Sequence, residues 1–221
     1  MRNGWGVESL RLLLVHGADV HAKRKDGKTA YQLAILHGNV GGATLLAEHG
    51  GEATLDPTER FLAACGAGSR SDALSLFSDD PDLVLTPEQQ RILPAAAGIP
   101  NDAAVRLLLE FGVPIDAKDA DGTTALHMAA WSGHRSTVRI LLAAGPSLEV
   151  LDDTHGATAL GWVAHGSTWC RNPEGDYAGI AEDLITAGAL FSSPHSDVDS
   201  SLSMASDEVA DVLRRYGAVD G

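Results

Sequence analysis

Cysteine is almost missing from this chain. Only Cys65 and Cys170 occur, far apart, so no disulfide framework is implied and a reducing compartment is expected. No apolar run reaches 18 residues, and Met1–Gly17 carries no secretory pattern. A soluble, cytoplasmic protein that does not engage a membrane is the expectation. Basic residues are scarce as well: 16 Lys and Arg face 30 Asp and Glu, a net charge of −14. The deficit is uneven, because residues 1–50 hold six basic against four acidic side chains and residues 51–221 hold ten against twenty-six. A nucleic acid partner needs a basic face to exchange for counterions and is excluded on that ground. A cationic partner is favoured electrostatically, although acidity also serves solubility. Three chemical signatures are missing too: a Gly-rich phosphate loop, a Gly-x-Ser-x-Gly elbow and a His-Glu-x-x-His metal helix. No cofactor is expected.

What the chain does contain is a repeated unit, clearest over Asp119–Glu149. Asp121-Gly122 signals a tight turn, where glycine accepts the positive φ that turns require. Thr124 stands where a hydroxyl can cap a first helix over Ala125–Ser132, and Gly133-His134 breaks it. A second helix follows with Val138, Leu141 and Leu142 on one face, ended by Gly145. Two short helices cannot bury their own apolar stripe, so such a unit stacks on copies of itself. With Leu126 as reference, Leu93 lies 33 residues before it and Leu160 34 after; Phe61 precedes Leu93 by 32, and Tyr31 precedes Phe61 by 30.

The unit resembles an ankyrin repeat. Thr124-Ala125-Leu126-His127-Met128-Ala129 matches that family's Thr-Pro-Leu-His-x-Ala with Ala for Pro, and Gly17-Ala18-Asp19-Val20-His21-Ala22 matches its repeat ending. The resemblance implies an all-α solenoid of helix-turn-helix units with short hairpin fingers, one domain over 1–221; the sequence does not give the oligomeric state, and a monomer is assumed. A partial repeat covers 1–22. Repeats follow at about 23–53, 54–85, 86–118, 119–151 and 152–190, and a capping helix at 206–217 closes the stack. Either Met1–Gly6 improvises an N-terminal cap with Trp5 over the apolar edge, or a longer protein was trimmed there. The resemblance also implies that His127 and His134 hydrogen-bond within and between repeats.

The repeats are not uniform. Gly41-Gly42 weakens the second helix of repeat two, at roughly 1 kcal/mol per Gly relative to Ala. Repeats three and four replace their fingers with helix starts at Asp56-Pro57 and Thr86-Pro87. Repeat six carries nine extra residues between its helices, within Ser167–Tyr177, expected as an ordered loop pinned by Trp169 and Tyr177. Its Leu-Gly-Trp-x-x-His-Gly-Ser run resembles one seen in bacterial ankyrin proteins, which carries no activity with it. Residues 192–197 read as a linker.

Two functions of different class follow. The first is a non-enzymatic module holding a protein or peptide in its concave groove. The residues five after each reference position are Leu36, Gly66, Gly98, Trp131 and His165. Gly66 and Gly98 should leave a hollow bounded by Leu36 and Trp131 and floored by Ile99, with Asp119, Asp121, Asp152 and Asp153 on the fingers beyond. An apolar or aromatic anchor would insert against Trp131, with a cationic group at the ligand's other end. The second is a small-molecule or catalytic site where Trp131, His155, His165, Asp153 and the loop with Trp169 meet, the imidazoles serving as acid and base. His155, His165 and Cys170 make only a partial zinc set at spacings that fit no tight metal motif, so no metal is expected.

Overall fold

The computed structural model describes residues 7–36, 38–51, 55–81, 83–170, 172–190 and 202–218. Trp5, Arg171 and the linker at 192–197 lie outside them. Contacts divide the chain into two compact units, Met1–Leu85 and Thr86–Gly221. The division falls just after the tail of repeat three, the first repeat to have lost its finger. Among the described residues every named element is helical, and one isolated antiparallel bridge, Lys23 to Thr29, marks the first finger. None of these helices is long and apolar enough to cross a membrane.

The first unit contains α1 (Val7–Val15), α2 (Ala30–Leu36), α3 (Val40–Glu48), α4 (Pro57–Gly66) and α5 (Arg70–Asp79). Phe61, Leu62, Leu45 and Leu46 form its core, whereas α1 has no buried residue. Asp56 starts α4 with a complete capping box: its Oδ1 accepts from Glu59 N–H (2.8 Å) and Glu59 Oε2 accepts from Asp56 N–H (3.1 Å), with Pro57 at the first helical position. The glycine pair of α3 has a use. A Cβ on Gly41 would stand 2.9 Å from Val7 Cγ2, and one on Gly42 would strike the Asn39 side chain that caps the helix. Helix propensity is thus given up there for close packing.

The second unit contains α6 (Pro87–Gln90), α7 (Ile92–Ala97), α8 (Asp102–Glu110), α9 (Ala125–Ser132), α10 (Arg135–Ala143), α11 (Ala159–Trp169), α12 (Tyr177–Thr186) and α13 (Asp207–Arg215). Leu93, Leu126 and Leu160, the reference positions, are all buried, among Val105, Leu108, Val138, Leu141, Val163 and Ile180. Repeat four begins at the Thr86 capping box, but its first helix is split at Arg91. Pro94 is the cause, since it cannot donate to Gln90 C=O and its ring crowds that carbonyl. The sequence places α9 correctly to the residue. It misplaces the start of the repeat-six insertion, because α11 runs on to Trp169, three residues longer than α9, before the loop begins. Ser206 caps α13, whose Asp207 and Glu208 precede Arg214 and Arg215 as the helix dipole favours.

Candidate functional site

The finger of repeat six is wound around one carboxylate. Asp152 Oδ1 accepts from Thr154 N–H (2.9 Å) and His155 N–H (2.7 Å), and Oδ2 accepts from Ala157 N–H (3.0 Å) and from Trp162 Nε1–H (2.9 Å). The side chain is fully shielded from solvent. Burial works to raise its pKa, but these donors outweigh it and hold the group ionised down to about 2. Asp119, 33 residues earlier, plays the same part in repeat five: its Oδ1 accepts from Asp121 N–H and Thr123 N–H. Both carboxylates are therefore engaged inside their own fingers. Asp153 N–H donates to Asp121 O (2.9 Å), which ties one finger to the next.

His127, buried on α9, fastens that finger pair to the helices. Its Nδ1 accepts from Thr124 N–H (3.3 Å), so its Nε2–H donates to Ala157 O (3.1 Å). Burial pushes its pKa below the ordinary imidazole value and keeps the ring neutral. His134 is lowered by burial in the same way.

On this base stands a ladder of six rings. The α11 helix presents Trp162, His165 and Trp169 at i, i+3 and i+7, on one face; α9 presents His127 and Trp131 at i and i+4. Trp162 lies 5.7 Å from both His127 and Trp131 by ring centroids and 6.0 Å from His155. His165 lies 5.2 Å from Trp131, 6.4 Å from His155 and 5.8 Å from Trp169. All six pairs are edge-to-face, with ring planes 72° to 90° apart, the arrangement that ring quadrupoles favour. Exposure rises along the ladder from buried His127 to Trp169, which is 69% exposed.

The extra residues of repeat six clip the ladder in place. Tyr177 O–H donates to Trp131 O (3.1 Å) and Asn172 Nδ2–H to Ser132 O (2.9 Å), while Asp176 N–H reaches Gly133 O (3.3 Å). Tyr177 is buried and does pin the loop; Trp169, expected to help, stands out in solvent instead. Glycines make this approach possible. A Cβ on Gly166 would lie 2.6 Å from Trp131 O, and one on Gly133 2.6 Å from Gly175 Cα. Nearby, Arg135 bridges Asp176 and Asp183 (2.6 and 2.7 Å), holding α10 to α12.

The structure thus brings Trp131, His155, His165 and Trp169 together and adds Trp162, which was not singled out. The signal was available, since 162, 165 and 169 share a helix face. Other expected site residues do not join them. Gly98 opens no hollow: a Cβ there would sit 2.8 Å from Met128 Cε, so that methyl already fills the space, and Ser132 O–H donates to Gly98 O. Ile99 is 38% exposed beside it, without the hollow it was to floor. Leu36 is buried in the core of the first unit rather than bounding a groove. Gly66 lines a separate apolar cavity of about 290 Å³ among α2, α3 and α4, next to Val40 and Tyr31. The acid–base set also changes. The carboxylate beside His155 Nδ1 is Asp152, at 3.3 Å, whereas Asp153 faces Lys118 at 3.7 Å. Among the described residues no group of three or more His, Cys, Asp or Glu is placed to hold a metal. His155 is more than half exposed, so this pair sits at an open surface rather than in a water-excluding cleft.

A family model described as ankyrin repeats (3 copies) matches residues 61–152 and 93–170, across the ladder and its base. The chain is an ankyrin-repeat protein. Its solenoid is similar to the crystal structure of the human ASB11 ankyrin repeat domain, with a TM-score of 0.60, 20% identity, and coverage of 97% of this chain and 95% of that one. Among curated proteins it is 41% identical to Inversin of Danio rerio over 76 residues, 34% of this chain and 7% of that protein. It is 31% identical over 143 residues to rat transient receptor potential cation channel subfamily V member 6, covering 54% of this chain and 18% of the relative. Mouse ankyrin repeat and SAM domain-containing protein 6 matches at 38% over 101 residues, 44% and 11% respectively. The chain spans less than a fifth of each of these relatives. Ankyrin repeats are generally protein–protein interaction modules.

Proposed function

We propose that this chain is a non-enzymatic interaction module, and that repeats five and six hold a protein or peptide partner on the face made by Trp131, His155, Trp162, His165 and Trp169. One observation carries the reading: a large aromatic side chain, 69% exposed, is continuous with a rigid, hydrogen-bonded ring ladder. A tryptophan held out on a fixed platform buries much area on contact at little entropic cost, which is why such residues dominate binding energies. The repeats themselves support a protein partner over a small molecule. The residues from Thr86 onward hold nineteen acidic against eight basic side chains, which favours a partner of positive charge.

Selection from a displayed library of random peptides tests this. Selected binders are expected to lose at least about ten-fold in affinity against Trp169→Ala, the loss of one hot-spot side chain, and to be unaffected by Leu74→Ala on α5. Binders indifferent to Trp169→Ala would place recognition elsewhere.

A further inference from the structure

We infer that the ring ladder recognises a cation, specifically the guanidinium of an arginine side chain presented by the partner. This rests on the preceding reading of the same face. Three observations lead to it.

The first is that the described residues leave no hollow at Gly98 or Gly166 for an apolar anchor. The space that Gly98 was expected to leave is filled by the Met128 methyl, and Gly166 is pressed against the Trp131 carbonyl. Recognition at this face has to use ring faces rather than a hole. An exposed indole face offers its negative quadrupole, which attracts a cation within about 6 Å of the ring centre.

The second is the charge around the rings. The two fingers beneath the ladder carry Asp119, Asp121, Asp152 and Asp153, against Lys118 as their one basic residue. Lys118 is drawn to Asp153 and to Leu151 O, on the finger side. His127 is neutral, and burial together with the nearby His155 lowers the pKa of His165, so these rings add no opposing charge at neutral pH. Among the described residues, the two fingers beneath the ladder therefore carry an excess of negative charge.

The third is the bond from Trp162 Nε1–H to Asp152. A carboxylate accepting from an indole N–H pushes electron density into the ring system, and the bond is shielded from water. The rungs at Trp131 and His155 lie directly against that indole. Guanidinium suits such a site better than ammonium, because it is planar, weakly hydrated and stacks on aromatic faces.

The test uses the full chain with ¹⁵N-labelled indoles and four small probes: N-acetyl-arginine amide, N-acetyl-lysine amide, N-acetyl-citrulline amide and N-acetyl-norleucine amide. The arginine probe is expected to shift the Trp169 and Trp131 indole signals at millimolar concentration. The uncharged citrulline probe, equal in shape, is expected to bind at least about five-fold more weakly. Trp169→Ala should abolish the response and Trp169→Phe retain part of it. Equal shifts from citrulline or norleucine would overturn the cation assignment while leaving the face as a binding surface. N-acetyl-lysine amide binding more tightly than arginine would overturn the choice of guanidinium. No shift with any probe would count against both the cation and the face itself.

Discussion

At the scale of single residues, Asp152 matters most, because one carboxylate closes a finger, orients an indole and faces an imidazole. Asp152→Ala leaves three backbone N–H groups of the repeat-six finger and the indole N–H of Trp162 on α11 without their acceptor, and the loss expected is about 3 kcal/mol of unfolding free energy. Urea titration reads it, and a loss under about 1 kcal/mol would show that the finger finds other acceptors. The sequence places Asp152 on the finger without revealing this role. Its signal was the 33-residue spacing from Asp119, which becomes meaningful only once both are known to fold back on their own backbones.

The same residues set the acid response. His127, His134 and His165 titrate below the ordinary imidazole value in the folded chain, so the unfolded chain takes up their protons first as pH falls. Their contribution is complete above about pH 6.5 and is lost progressively below it. Asp152 and Asp183 are both held at about 2, Asp183 chiefly by its bond from Arg135; their contribution is present above about pH 4 and drains away towards pH 2. Urea midpoints are therefore expected to hold steady from about pH 8 to 7, to decline below about 6.5 and to fall steeply below 4. Stability that rises between about pH 7 and 5 would contradict the histidine assignment.

At the scale of elements, the helices with clear punctuation were legible. The α9 helix lies between Thr124 and Gly133, α4 begins at Asp56-Pro57, and α13 lies between Ser206 and Gly217. The failures came where tertiary contact overrides local signal. Nothing in Ser167-Thr168-Trp169 forbids helix, and α11 continues because Thr168 O–H donates to Met204 O and Ser167 Oγ accepts from Ser206 N–H. The hollow expected at Gly98 is absent because a glycine leaves room for a neighbour as readily as for a ligand, and Met128 fills it. Gly166→Ala tests the close approach of α9 and α11. The added methyl would meet a backbone carbonyl that cannot swing aside, and a loss of about 2 kcal/mol is expected, with reduced near-ultraviolet signal from the indoles. A neutral outcome would mean that the two helices separate freely.

At the scale of the whole molecule, the periodic spacing made the solenoid legible at once, whereas the ring ladder depended on contacts between repeats that spacing alone does not show. Burial is uneven between the units: α1 exposes Leu12, Leu13 and Val15 and has no buried residue, while α9 and α10 bury most of their apolar side chains. In repeat arrays stability is close to a sum of repeat and neighbour contributions. Amide exchange is therefore expected to be faster in α1 to α3 than in α9 and α10; the reverse order would show that buried area does not govern stability here.

The binding face itself is tested most directly by exchange footprinting with a library-selected peptide bound to the intact chain. Protection is expected over residues 119–131 and 152–170, centred on the finger of Asp152 and the exposed face of α11, and it should vanish in Trp169→Ala. Protection confined to α10 and α12, or to the first unit, with Trp169→Ala binding as the parent does, would contradict it.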